Sequence, residues 1–449
     1  MKTPAVLLTA PASGSGKTLI TCGILQALVN RGLVTASFKC GPDYIDPMFH
    51  GRVIGTKSRN LDTFFTDAPT TRYLFSKNTA DCQVSVVEGV MGFYDGISGT
   101  TDTASAAHLA RVAGTPAVLV ARPKGQSLSL AAMLKGFREF APNTAAGVIL
   151  NGVSHGMYPF YREIAEKSGL KVYGYLPELP EASIPERHLG LVTAQEMERL
   201  QEKLDLLAGA AEDGIDLDGL LTLARGASAL ADETAPLLPA CKQRLRVAVA
   251  RDTAFCFYYE DNLDVLRALG AEIVPFSPLL DAGLPPGIDG LYLGGGYPEL
   301  HAARLAGNAS MREAVRRAVS GGLPTIAECG GFLYLHETLS GADGIPYPMA
   351  GVLPGGARLT TRLQNFGYVT LTAQRPSLLA DEGQSIRAHE FHYACAPDCG
   401  GAFRAEKPNG RAWDCVQATD TLYAGFPHLY FRSNLDFAAR FLRACAAGR

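Results

Sequence analysis

The chain has 449 residues, enough for two or three domains with separate cores. Hydrophobic residues make up 47 % and charged residues 19 %, and the formal net charge is −3, so no basic surface points to nucleic acid or anionic lipid. No stretch reaches the roughly 20 continuous apolar residues of a membrane span, and Met1-Lys2-Thr3-Pro4 leads straight into a strand and a functional loop, so a cytoplasmic protein without a cleaved leader is expected.

Residues 1–190 alternate between short apolar runs and helical patterns. Ala5–Leu8, Ala36–Phe38, Ser85–Val87, Ala117–Val120 and Gly147–Leu150 have strand length, and Thr18–Asn30 and Ala104–Ala113 have helical spacing. This pattern predicts a doubly wound parallel sheet. Between the first strand and the first helix lies Ser13-Gly14-Ser15-Gly16-Lys17-Thr18. Glycines there let the backbone turn several N–H groups toward one cluster of phosphate oxygens. Lys17 can then reach the β- and γ-phosphates, and Thr18 can hold Mg²⁺. The full phosphate-loop pattern places a glycine five residues before Gly16, where this chain has Pro11.

Two more strand ends open into loops rich in chemistry. One is Lys39-Cys40-Gly41-Pro42-Asp43-Tyr44-Ile45-Asp46-Pro47, the other Glu88-Gly89-Val90-Met91-Gly92-Phe93-Tyr94-Asp95-Gly96. In a parallel sheet such loops gather at the carboxyl edge beside the phosphate loop. Asp43 and Glu88 are therefore expected to join Thr18 around Mg²⁺, which takes few carboxylates and many phosphate oxygens.

Residues 191–243 change texture, with Leu and Ala at helical spacing among acids, ending in Thr234-Ala235-Pro236. A helical connector and linker is expected there. A second α/β unit spans 244–441, with strands at Leu245–Ala250, Glu272–Pro275, Gly290–Leu293 and Pro324–Ala327.

The ten cysteines are scattered and form no CxxC pair, so most read as reduced structural thiols. Cys329 differs, because it ends a strand and precedes Gly330-Gly331 and the helix Phe332–Leu335. A helix N-terminus is expected to lower the thiol pKa and expose the sulfur on a tight elbow. Leu293-Gly294-Gly295-Gly296 can aim N–H groups, with that of Gly330, at the oxygen of a tetrahedral intermediate. Pro427-His428-Leu429 supplies a histidine to take the thiol proton. A chain owning both devices can activate a carboxylate with ATP and free ammonia from an amide with a thiol.

At these residues the chain resembles known families. Its second half is similar to class I glutamine amidotransferase domains of flavodoxin-like fold, and its first half to the dethiobiotin synthetase-type ATPase. Their order resembles the cobyrinic acid a,c-diamide synthase family, above all in Phe38–Pro47, Val87–Gly92 and His389-Glu390-Phe391-His392-Tyr393. The resemblance covers essentially the whole chain. It implies ATP- and glutamine-dependent amidation of the a and c acetates of cobyrinic acid, with Mg²⁺ as cofactor. Tyr44, Asp46 and Asp95 are then expected to position the corrin. Ammonia freed in one half is used in the other, so an enclosed passage is implied. Hydrogenobyrinic acid and nickel sirohydrochlorin remain alternative substrates, and a switch ATPase with a degenerate amidase-like domain is an alternative of another class. A homodimer is left open.

One departure stands out. The wider amidotransferase pattern His-x-Glu would put a glutamate at 430, where this chain has Tyr430. Cys329 and His428 are then expected to act as a dyad, with Glu390 a candidate replacement for orienting the histidine.

Overall fold

The computed structural model describes residues 4–182, 200–230, 237–238 and 244–448. The chain divides into two compact units, Met1–Pro236 and Leu237–Arg449.

The first unit is built on β1 (Ala5–Thr9), β2 (Thr35–Cys40), β3 (Lys57–Leu61), β4 (Val84–Glu88), β5 (Ala117–Ala121), β6 (Ala145–Asn151) and β7 (Lys171–Leu176). They form one parallel sheet in the order β3-β2-β4-β1-β5-β6-β7. Alternate residues of β1 feed two cores, Val6 and Leu8 into one and Ala5 and Leu7 into the other. Both faces are thus covered, as a parallel sheet with crossover helices requires. The chain winds from β1 to β2 on one side and to β5 on the other, so the loops after β1 and β4 open beside the point where the winding reverses. The sequence pattern misses the two edge strands, β3 and β7. Lys57-Ser58-Arg59-Asn60 is too polar to read as a buried run.

The helices Leu200–Gly214 and Leu217–Arg225 are not a free-standing connector. Leu200, Leu204, Leu207, Ala208 and Ala211 lie on one face of the first and join the core of the first unit. That helix packs closely on Lys17–Asn30: a Cβ at Gly23 would come 2.9 Å from the Leu207 carbonyl oxygen. Arg31 adds ion pairs to Glu212 at 2.6 Å and Asp218 at 2.8 Å. The expected Thr234–Pro236 linker lies outside the described residues.

The second unit starts with β8 (Leu245–Ala250), β9 (Ala271–Phe276), β10 (Gly290–Leu293) and β11 (Thr325–Glu328). It continues with β12 (His336–Ser340), β13 (Pro346–Pro348), β14 (Leu353–Ala373), β15 (Ser385–Cys395), β16 (Phe403–Glu406) and β17 (Ala412–Cys415). The last strands are β18 (Gln417–Ala418), β19 (Leu422–Gly425) and β20 (His428–Leu429). The central sheet runs β18-β19-β11-β10-β8-β9 and is parallel except for β18. A second sheet, β13-β12-β14-β15-β20 with β16 and β17, is mostly antiparallel and brings His428 beside His389. The sequence pattern did not separate this sheet from the doubly wound core. The final helix, Leu435–Ala447, runs past the expected limit at 441, because Phe441, Leu442 and Cys445 belong to the core. Among the described residues no helix is long and apolar enough to cross a membrane.

If Leu200–Gly214 is part of the first core, Leu207→Ala should cost that unit about 2–5 kcal/mol in urea unfolding. A change near zero would mean that the helix only tethers.

Candidate active site

The phosphate loop leaves β1 after Thr9, and Gly16 caps the helix Lys17–Asn30 at φ 91°. That backbone angle favours glycine, and a Cβ there would also overlap the Asn151 amide. Asn151, at the end of β6, donates to the Ser15 carbonyl oxygen at 2.9 Å and braces the loop. Ser13 and Gly14 are exposed, and the Ser15 hydroxyl donates to the Ala12 carbonyl oxygen at 2.9 Å. The Lys17 ammonium donates to the Met91 carbonyl oxygen at 2.6 Å. Burial, with Lys39 adding repulsion, lowers its pKa to about 8.

Beneath the loop lies a buried charge network. Lys39, at the end of β2, bridges Asp46 and Glu88, the latter at 2.8 Å. Burial alone would discharge Lys39, but Asp46 and Glu88 outweigh it and hold its pKa above the ordinary value. Thr18 donates from Oγ1 to Glu88 Oε1 at 2.7 Å. Burial raises the Glu88 pKa, aided by Asp46. Asp43 is raised by burial and by Asp46, while for Asp46 the Lys39 ammonium outweighs burial and keeps it ionised. Asn60 fixes the Asp43 turn by donating to the Gly41 and Asp43 carbonyl oxygens at 2.8 and 2.7 Å.

The expected metal-binding set thus converges in part. Thr18 and Glu88 touch directly, and Asp43 feels the same lysine. Among the described residues, no donor hydrogen-bonds Glu88 Oε2. Hydroxyl and carboxylate oxygens of this kind suit Mg²⁺. The substrate-positioning expectations divide. Tyr44 follows Asp43 in the chain and precedes the helix Ile45–Phe49. Asp46 is committed to Lys39 with 4 % exposure, so it is a structural counter-ion before it can be a substrate ligand. Asp95 is exposed and accepts the Gly92 N–H at 2.8 Å, which braces the loop after β4. Lys39 and Asn151 were not anticipated. The signal for Lys39 was in the sequence, as a lone charge inside a buried strand.

In the second unit Cys329 adopts φ 46°, ψ −98°, between β11 and the helix Gly330–Leu335. Its N–H donates to the Gly425 carbonyl oxygen at 2.8 Å. Gly331 donates to the Gly294 carbonyl oxygen at 2.9 Å and so joins the elbow to the glycine loop. A Cβ at Gly330 would come 3.1 Å from the Gly296 nitrogen, and one at Gly295 would overlap His428 Cε1. The elbow backbone, the glycine loop and the imidazole are therefore packed together. Cys329 is 7 % exposed and His428 2 %.

Two expectations change here. Gly294 spends its N–H on the Tyr258 hydroxyl at 2.8 Å, which leaves Gly295, Gly296 and Gly330 of the four expected oxyanion donors. The Cys329 pKa is raised rather than lowered. Burial is the main cause and the Glu299 and Glu390 carboxylates add to it, against a partial offset from the Gly330 amide. The helix that follows has only six residues, a weak dipole against that desolvation.

Glu390 is paired with His392, at 3.3 Å, and the His392 ring stacks on Phe426 with centroids 3.7 Å apart. The carboxylate set against His428 Nδ1 is that of Glu328, at 3.6 Å. Tyr430, standing where a glutamate would complete His-x-Glu, donates to Asp261 at 3.0 Å. The sequence reading gives Glu328 no role, although a charged residue ending an apolar strand is the same signal as Lys39.

Burial lowers the pKa of His50 to about 4 and that of His389 to about 3. Each stays neutral when folded but takes a proton when unfolded below about pH 6.5, so stability is lost as pH falls through that window. In the second unit, urea unfolding between pH 6.5 and 4.5 should lose up to about 1.4 kcal/mol per pH unit from His389. His389→Asn should flatten that part of the slope; an unchanged slope would refute its buried neutral state.

Comparison with known proteins agrees with both halves. Residues 6–192 match the CobQ/CobB/MinD/ParA nucleotide binding domain and residues 246–435 the CobB/CobQ-like glutamine amidotransferase domain. A cobyrinate a,c-diamide synthase of Listeria innocua is 40 % identical, covering 96 % of this chain and 96 % of its own. One of Thermoplasma volcanium is 38 % identical over 99 % of this chain and 98 % of its own, and one of Priestia megaterium 35 % identical over 100 % and 98 %. A buried nucleophile elbow, a glycine loop packed on a histidine and a phosphate loop in one chain, with this identity along its whole length, place it in the cobyrinate a,c-diamide synthase family.

Proposed function

We propose that this chain uses ATP and glutamine to amidate the a and c acetate carboxylates of cobyrinic acid. The observation that carries the reading is the Cys329 elbow at φ 46°, packed on the Gly294–Gly296 loop against which His428 lies, in a chain that also holds the Gly16–Lys17 phosphate loop.

In the amidase unit, Cys329 attacks the glutamine side-chain amide. Burial keeps the free thiol protonated, so the proton must leave as the sulfur attacks, and His428 receives it. The Gly295, Gly296 and Gly330 amides are the proposed donors to the tetrahedral oxyanion. His428 returns the proton to the departing ammonia, and water then hydrolyses the thioester to glutamate.

In the synthetase unit, the loop amides and Lys17 hold the triphosphate. Lys17 exchanges the Met91 carbonyl for phosphate oxygens, which restores a full charge to a lysine that burial had weakened. Thr18, Glu88 and Asp43 are the residues that would hold Mg²⁺, which when bound neutralises charge on the transferring phosphoryl group. Lys39 keeps Glu88 and Asp46 in place without itself reaching solvent. A free carboxylate is a poor acyl donor, so the γ-phosphoryl group is transferred to it. Ammonia displaces phosphate from the acyl phosphate and leaves the amide. Tyr44 and Asp95 are the proposed corrin contacts, with Asp46 holding Lys39 in place.

Turnover with cobyrinic acid, hydrogenobyrinic acid or no acceptor tests this. ADP and glutamate should form together only with an acceptor, which gains two amides. Cys329→Ala should abolish glutamine use yet retain synthesis with added ammonia, and Lys17→Ala should abolish both. A Cys329→Ala enzyme that still consumes glutamine would refute the assignment. Gly295→Ala should lower glutamine-dependent turnover by about 100-fold or more through displacement of the imidazole, with ammonia-dependent turnover unchanged.

A further inference from the structure

We propose that Glu328, the residue immediately before the nucleophile, is the carboxylate that orients His428. The inference rests on the reading of Cys329 and His428 as the amidase pair. His-x-Glu amidotransferases carry the orienting acid two residues after the histidine. Here that position is Tyr430, engaged with Asp261.

Glu328 is 2 % exposed at the end of β11. Its Oε1 accepts the Leu429 N–H at 3.1 Å, from the residue following His428. Its Oε2 accepts the Tyr292 hydroxyl at 3.1 Å and lies 3.6 Å from His428 Nδ1. Two donors from different strands therefore pin the carboxylate, and the oxygen facing the imidazole cannot swing away. A separation of 3.6 Å is longer than a finished hydrogen bond, and such contacts tighten when substrate binds.

A carboxylate facing Nδ1 favours the tautomer with the proton on Nδ1, which leaves Nε2 free to take the thiol proton. The resulting imidazolium is then stabilised by the same carboxylate. Among the described residues, the other titratable groups that act on this pair or on the thiol include Tyr258, Tyr292 on β10, Tyr423 on β19, His389 and Glu390 on β15, Glu299, and Cys329 itself. His389 is held neutral by burial and Glu390 is paired with His392. Glu328 is thus a positioning residue. It does not touch the reacting atoms.

Glu328→Gln in the full chain tests the role. The glutamine keeps the acceptor for Leu429 but turns an N–H₂ donor toward His428, which favours the wrong tautomer. Glutamate release should fall about 100-fold or more in kcat. KM for glutamine should stay within about threefold, and synthesis from added ammonia should be unchanged. The acid limb of the kcat/KM profile should move to lower pH, because the imidazolium loses its counter-charge. In ¹⁵N-histidine spectra, with His428→Gln to assign the signal, the wild-type ring should carry its proton on Nδ1 and the variant ring on Nε2.

A Glu328→Gln enzyme with full glutaminase activity beside an inactive Cys329→Ala enzyme would overturn the proposal. So would a wild-type ring protonated on Nε2, a readout that needs no variant to fold. Loss of activity in Glu390→Gln but not Glu328→Gln would move the role to Glu390. If Cys329→Ala itself keeps glutaminase activity, the underlying amidase assignment fails, and the inference with it.

Discussion

A carboxylate at the carboxyl end of a buried parallel strand has no water to solvate it. It must find donors within the fold, at a cost of several kcal/mol if it does not. Both reaction centres of this protein grow out of that requirement. Glu88 ends β4 and collects Thr18 and Lys39, while Lys39 in turn collects Asp46. Glu328 ends β11 and collects Tyr292, the Leu429 amide and the edge of His428. In each unit the demand of one buried acid draws residues from distant parts of the chain onto a single spot. That spot is where the loops of the sheet open.

The amidase unit adds a steric constraint. Cys329 is held at a positive φ, and Gly294, Gly295 and Gly331 face neighbours that leave no room for a Cβ, with Gly330 only slightly less tight. Strain of this kind persists only where the surroundings over-determine it. Here the Gly425 and Gly294 carbonyls tie the elbow to two neighbouring strands. The reward is a thiol set against amides and an imidazole. The thiol is not pre-ionised, because burial and two carboxylates oppose the charge. Reactivity must therefore come from proton transfer to a well-placed histidine, which gives the positioning of that histidine its importance.

Much of the site was legible in the chain. Ser13–Thr18, Asp43, Glu88 and Cys329 stand out because each combines a chemically useful residue with a strand-to-loop transition, and His428 because the motif around it fits. The expectations for which the structure shows a competing partner share one physical origin. Gly294 looked like an oxyanion donor, but a tyrosine from another segment takes its amide. Asp46 looked like a substrate ligand, but a buried lysine claims it. Glu390 looked like the orienting acid, but His392 is its partner. In each case the residue type was right for the role, and a competing partner distant in sequence decided otherwise.

Apolar runs, their spacing and the glycine-rich turns determined the two α/β units and the order of their motifs, because hydrophobic period and turn chemistry are local properties. The tertiary structure alone decided the rest. Edge strand β3 is defined by its neighbours, since its own residues are too polar to declare it. The helices from Leu200 to Arg225 belong to a core, because their apolar faces meet the helix Lys17–Asn30 and the first sheet. Which acid faces His428 depends on β11 and β20 being brought together through other strands, a distance of about one hundred residues along the chain. Hydrogen bonds and buried charges are satisfied in space, and a sequence records only which groups will need satisfying.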